Sequence, residues 1–143
     1  MRGVSLNPNS AEAYAVLGYT LYLSGRPEEG IEFVKKALRL NPVPHSIFLQ
    51  FLGHIYRGTG KYEKAVQAYQ QSIKCEPDHI FSYIGLAATY SLMGDQIKAH
   101  QAGKEVLRIN PGFSLEKFAK IVPLKDKSVK ERYVQALRNA GLK

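Results

Sequence analysis

Four prolines set the scale of this chain. Pro8, Pro42, Pro77 and Pro111 stand 34, 35 and 34 residues apart, and Gly25, Gly60 and Gly94 keep step with them at 35 and 34. A fixed period of this length means one small unit copied along the chain, each copy too thin to bury its apolar face alone. The clearest copy is residues 52–77, LGHIYRGTGKYEKAVQAYQQSIKCEP. Leu17-Gly18, Gly25, Gly30 and Pro42 make a copy before it, and Leu86-Ala87, Tyr90, Gly94, Ala99 and Pro111 make one after it. The one-residue difference in period falls between Pro42 and Leu52, most simply in Val43-Pro44-His45.

Apolar residues within each copy recur at i, i+3, i+4 and i+7, as in Tyr14, Leu17, Gly18 and Leu21, or Ile31, Val34 and Leu38. That spacing predicts amphipathic helices. Two are expected per copy, near 10–24 and 27–40, 46–58 and 61–75, and 80–93 and 95–109. The glycine between the two helices takes the left-handed backbone that ends the first one. Pro27 suits a first helical turn, with Glu28 and Glu29 at the positive end of the helix dipole. Asp95 is an expected N-cap.

The period ends after Pro111. Residues 114–121 predict a short helix stopped by Pro123. Ser128-Val129-Lys130-Glu131 reads as a capping box opening a helix to about Asn139, with Gly141 ending it. Val4-Ser5-Leu6-Asn7-Pro8 parallels the helix ends Leu38-Arg39-Leu40-Asn41-Pro42 and Val106-Leu107-Arg108-Ile109-Asn110-Pro111. Residues 4–8 therefore read as the remnant of an earlier helix, in a chain cut from a longer protein. The expected organisation is a helix stub over 1–9, repeats over 10–44, 45–78 and 79–111, and capping helices over 112–143. With the stub's helix missing, an apolar face on the first pair could drive homodimerisation.

With 143 residues, 45% hydrophobic and 22% charged, the chain can bury a core. It has no apolar run near the roughly 18 residues of a membrane span and no leading apolar run of signal type. Its single cysteine, Cys75, fits a reducing compartment. A soluble, cytoplasmic protein is expected. The net charge of +8 is uneven: residues 104–143 hold ten Lys/Arg against four Asp/Glu, and residues 1–103 ten against eight. A basic tail can meet nucleic acid, an anionic membrane surface or an acidic partner. Against nucleic acid, no aromatic side chains interleave with the basic ones as a stacking platform.

No catalytic motif is present: no Gly-rich phosphate loop, HExxH or G-x-S-x-G. His45, His54, His79 and His100 are not spaced as ligands, and Cys75 beside Glu76 lacks an activating neighbour. No enzyme activity, cofactor or metal is expected.

These repeats resemble the tetratricopeptide family, whose unit is a helix–turn–helix of 34 residues. The resemblance implies an all-α fold: a right-handed α-solenoid of three helix–turn–helix repeats plus a C-terminal capping helical segment. Departures are Gly30, Ser72 and Val106, where alanine is usual, and Gly103, where a bulky residue is; these would loosen packing locally. A narrower resemblance rests on residues 25–32 (GRPEEGIE), the Asn41-Pro42-Val43-Pro44 linker and the tail from Asn110-Pro111-Gly112-Phe113 through Pro123-Leu124-Lys125-Asp126 to Ala140-Gly141-Leu142. This is similar to the C-terminal repeat region of bacterial class III adenylate/guanylate cyclases and related multidomain regulators. It implies a regulatory or oligomerisation region whose catalytic or DNA-binding domain lies elsewhere.

The family resemblance also implies a site. The first helix of each pair lines a concave groove that takes a peptide or partner domain. The matching positions include Tyr19 and Tyr22, then Gln50, His54 and Arg57, then Phe81, Ile84 and Ala88. Tyrosine and arginine are common binding anchors. The family's clamp for the C-terminal carboxylate of heat-shock chaperones needs cationic and amide side chains. Its positions here hold Ala15, Tyr19, Phe51, Phe81 and Gly85, which argues against that ligand.

Overall fold

The computed structural model describes residues 10–41 and 45–143. These form eight helices and no strand: α1 (Ala11–Leu23), α2 (Pro27–Leu40), α3 (Ser46–Gly58), α4 (Tyr62–Cys75), α5 (Ile80–Met93), α6 (Gln96–Ile109), α7 (Leu115–Ile121) and α8 (Lys127–Asn139). The helix remnant expected at residues 4–8 lies outside the described residues, as does all of the expected insertion except His45. The chain divides into two compact units, Met1–Pro77 and Asp78–Lys143.

One closure repeats at the turn of every pair. Gly25, Gly60 and Gly94 have φ of 88°, 79° and 83°. The residue after each donates its N–H back across the turn: Arg26 to Leu21 O, Lys61 to Tyr56 O and Asp95 to Tyr90 O, at 2.8, 2.8 and 2.9 Å. This six-to-one bond satisfies a carbonyl left over at the helix end. The second helix of each pair then starts at once, on Pro27 in α2 and on the Asp95 side chain, which accepts from Lys98 N, in α6.

In the first unit α1 packs on α2 through two glycines. A Cβ on Gly18 would lie 2.6 Å from the carbonyl oxygen of Gly30, and a Cβ on Gly30 would run into the carbonyl oxygen of Gly18. Gly30 therefore tightens the pair, where the sequence suggested a looser one. Ala15, Ala37 and Phe48 form a buried cluster over which Tyr14, Leu38 and Phe51 pack. Ser72, another departure, is fully buried and donates to Ser46 O at 2.8 Å, while Ser46 Oγ donates to Glu76 Oε1 at 2.7 Å. The hydroxyls tie the start of α3 to the end of α4.

In the second unit α8 packs back on α5 and α6, and α7 packs on α8. Gly103 in α6 faces the end of α8, where a Cβ would sit 2.7 Å from Ala140 O. Val106 is fully buried. Neither departure loosens its helix. Leu142 is buried behind Ala140, and Lys143 O accepts from Leu115 N at 2.7 Å, closing the tail onto α7. The start of α8 differs from expectation. Asp126, not Ser128, is the N-cap, accepting from Val129 N at 3.1 Å, and Ser128 lies within the helix. Asp126 comes first in the chain, three residues after the Pro123 stop, and its carboxylate takes the cap.

Candidate functional site

The first unit brings five of the expected site residues together. Tyr19 and Tyr22 lie on successive turns of α1, with ring centroids 6.1 Å apart. Across from them, Phe51 of α3 stacks on Tyr19 at 4.6 Å with the rings within 5° of parallel. His54 tilts beneath the same tyrosine at 6.0 Å. Tyr22 packs onto Gly58, where any side chain would displace its ring.

Beneath these rings lies a polar network. Arg57 Nη1 donates to Tyr69 Oη at 2.7 Å, and His54 Nδ1 lies 2.6 Å from the same oxygen. Gln50 Nε2 lies 3.1 Å from His54 Nε2. The contacts with Tyr69 and Gln50 run from donor to acceptor in one tautomer of His54. The His54 proton sits on Nδ1 and points at Tyr69 Oη, and His54 Nε2 accepts from the Gln50 amide. Arg57 and His54 then converge on one hydroxyl, which accounts for their 3.2 Å approach. Gly53 makes room for this, since a Cβ there would meet the Tyr69 ring at 2.6 Å. His54 and Arg57 are buried, while Tyr19, Tyr22, Gln50 and Phe51 are partly exposed. The arrangement is thus an aromatic rim over a polar floor.

The other three expected residues belong to the second unit. Phe81 is exposed and meets His79 edge-on at 6.2 Å. Ile84 and Ala88, expected to line a groove, are buried and present no surface in this conformation. Two contributors escaped the sequence reading. Phe51 was visible only as a position where a clamp residue is missing. Tyr69 belonged to the repeat's packing pattern, yet its hydroxyl is the centre of the network. A buried tyrosine needs a partner for its hydroxyl, and the polar His54 and Arg57 on the facing helix were the available signal.

Among the described residues, no group of three His, Cys, Asp or Glu is placed to hold a metal ion. No described helix is long and apolar enough to cross a membrane.

Paired helices closed by left-handed glycines, small residues where the pairs touch and a partly exposed aromatic rim define a class of helical-hairpin repeat module generally used for interaction rather than catalysis. Tetratricopeptide-repeat models match residues 11–42 and 46–111, and the chain belongs to that family. It is 30% identical over 108 residues to the human N-alpha-acetyltransferase 16, NatA auxiliary subunit, covering 73% of this chain and 12% of that protein. The chain thus matches only about an eighth of that relative's length. The crystal structure of MamA superposes with a TM-score of 0.69 at 25% identity, over 97% of this chain and 81% of that one. The first tetratricopeptide domain of Spaghetti (RPAP3), solved bound to an HSP90 peptide, has a TM-score of 0.72 at 13% identity, over 94% and 93%. At that identity the likeness concerns the fold.

Proposed function

We propose that this chain is a non-catalytic protein-interaction module and that the first unit takes a peptide segment or partner domain on the rim formed by Tyr19, Tyr22, Phe51 and Gln50. The observation that carries this reading is the Tyr19–Phe51 stack above the Arg57–Tyr69–His54 network. It presents partly exposed aromatic rings that pack on each other and on His54, which buried hydrogen bonds hold in place, so less side-chain entropy is lost on binding. Among the rim and floor residues Arg57 is the only full cation, and it is already engaged with Tyr69. The ligand should therefore be recognised by apolar and amide contacts along its length and not by a free terminal carboxylate.

The test is selection of random peptides on the intact chain, followed by titration of a selected peptide against variants. Tyr19→Ala and Gln50→Ala should each weaken binding about tenfold or more, the range of an interface anchor. The amidated and free-acid forms of the peptide should bind alike. Full affinity in both variants would remove the rim from the site.

A narrower reading, supported by the tail motif from Asn110 to Leu142, makes this module the regulatory or oligomerisation region of a larger bacterial cyclase-like enzyme or transcriptional regulator, in the cytoplasm. The encoding genomic locus tests it. A cyclase or DNA-binding domain in the same reading frame supports it, and a frame without either removes it.

A further inference from the structure

The second unit holds a recess unrelated to the aromatic rim. It lies between α7 and α8, has a volume of about 600 Å³, and is lined by Ala119, Lys127, Lys130, Glu131, Val134, Gln135 and Arg138. Ala119 and Val134 give it an apolar strip. Three cations against one carboxylate give it positive charge, within a segment that is itself basic.

Some cations of the molecule are answered by carboxylates, and those of the recess are not. Arg108, in the same unit, is paired with both Glu105 and Asp78, and Arg26 with Glu29. Among the described residues, Lys127, Lys130 and Arg138 have no carboxylate partner. Arg138 instead donates to the neutral Gln135 Oε1 at 3.1 Å, and Gln135 Nε2 donates on to Asn139 Oδ1 at 2.9 Å. That chain of amides orients the guanidinium and leaves its charge unspent.

We infer that this recess binds an extended acidic peptide in which two carboxylates flank an apolar residue, each one residue removed from it. The spacing follows from two rises. Lys130, Val134 and Arg138 are four residues apart on α8, so they step along it by about 6 Å each. Alternate side chains of an extended strand step by about 6.6 Å. An acid–x–apolar–x–acid segment lying along α8 would therefore set one carboxylate at Lys130, the apolar side chain on Val134 and Ala119, and the second carboxylate at Arg138. Such a carboxylate can take a paired hydrogen bond from the guanidinium. The lack of an aromatic wall disfavours a nucleic-acid strand, which draws on base stacking besides its phosphate contacts. A flat membrane surface meets protrusions and not a recess.

The test uses the intact chain and a fluorescent, end-capped heptapeptide of sequence Ser-Glu-Ser-Leu-Ser-Glu-Ser, followed by anisotropy at physiological salt. The expected result is micromolar binding that falls at least about tenfold in the double variant Lys130→Glu/Arg138→Glu, as loss of paired charges does. Binding should also fall when the central leucine of the probe is replaced by serine. The double variant Lys35→Glu/Lys74→Glu, which changes net charge equally, should bind normally. Three results would overturn the assignment: no binding at millimolar peptide, equal binding by the Lys130/Arg138 variant, or tighter binding of a single-stranded oligonucleotide or of phosphatidylserine vesicles. Because the rim of the first unit plays no part, Tyr19→Ala serves as an independent control and failure here leaves the rim's function open to its own test.

Discussion

Gly103 and Ala140 meet with no side chain between them: the α-carbon of one faces the carbonyl oxygen of the other, and a Cβ on Gly103 would stand 2.7 Å from it. Real Cβ–oxygen contacts do not come that close, and the obstacle is backbone, which cannot swing aside. Gly103→Ala should therefore push the end of α8 away from α6. The expected loss is about 1–3 kcal/mol, typical of overpacking, read by chemical denaturation. Proteolysis after the α8 lysines and arginines should quicken. Unchanged stability would mean that the tail does not seat on α6 as described.

The two candidate caps of α8 separate by single substitutions. Asp126 accepts from Val129 N, whereas Ser128 lies inside the helix. Asp126→Ala should cost about 1 kcal/mol, the usual worth of an N-cap, and Ser128→Ala should cost almost nothing. Thermal unfolding of both variants checks this, and the reverse order would restore Ser128 as the cap.

These contacts mark where the sequence was legible. The six repeat helices could be read because proline, glycine and apolar spacing are local signals, and Gly25, Gly60 and Gly94 act through their own φ. Gly30 and Gly103 misled because their reason is not local: each makes room for a carbonyl brought by another helix. The same limit governed the site. Tyr19, Tyr22, Gln50, His54 and Arg57 could be named from their places on first helices. The role of Tyr69 depended on α4 meeting α3, and the burial of Ile84 and Ala88 on packing that no window of sequence contains.

Tyr69 offers a sharper probe of the network than its basic members. Its hydroxyl accepts from Arg57 and lies 2.6 Å from His54 Nδ1 in a buried setting. Tyr69→Phe keeps the ring against Gly53 and removes only the shared acceptor. A buried hydrogen-bonding group deprived of its partner costs about 1–3 kcal/mol. Denaturation should show a loss in that range, and a selected rim peptide should bind more weakly to the variant as the floor loosens. A fully stable variant would place the network's stability elsewhere.

Arg26 and Glu29 form a two-pronged pair on the surface, Nε to Oε1 at 2.7 Å and Nη2 to Oε2 at 2.6 Å. Hydrogen bonding from Arg26 holds the Glu29 carboxyl below its ordinary range. A lowered folded value means that the pair's contribution is present above the unfolded carboxylate value, about 4.3, and is lost as pH falls through the lower folded one. An NMR titration should find Glu29 titrating below that value in the native chain and close to it in Arg26→Gln. The same midpoint in both would show that the pair does not persist in solution.

Gly30→Ala reverses an ordinary expectation. Alanine is the usual residue at this repeat position, and replacing a mid-helix glycine by alanine normally gains up to about 1 kcal/mol. Here the new methyl would point into the carbonyl oxygen of Gly18, close to the backbone nitrogen of Tyr22. Relief requires α1 and α2 to move apart, which would disturb the burial of Ala15, Val34 and Ala37 and the seat of Tyr22 on Gly58. Overpacking of this kind costs about 1–3 kcal/mol, more than the propensity gain. The variant should therefore be less stable than the native chain on denaturation and should also lose affinity for a rim peptide, because Tyr19 and Tyr22 ride on the displaced helix. A more stable Gly30→Ala chain would show that the helices can separate without penalty and that the glycine pair does not set the rim's position.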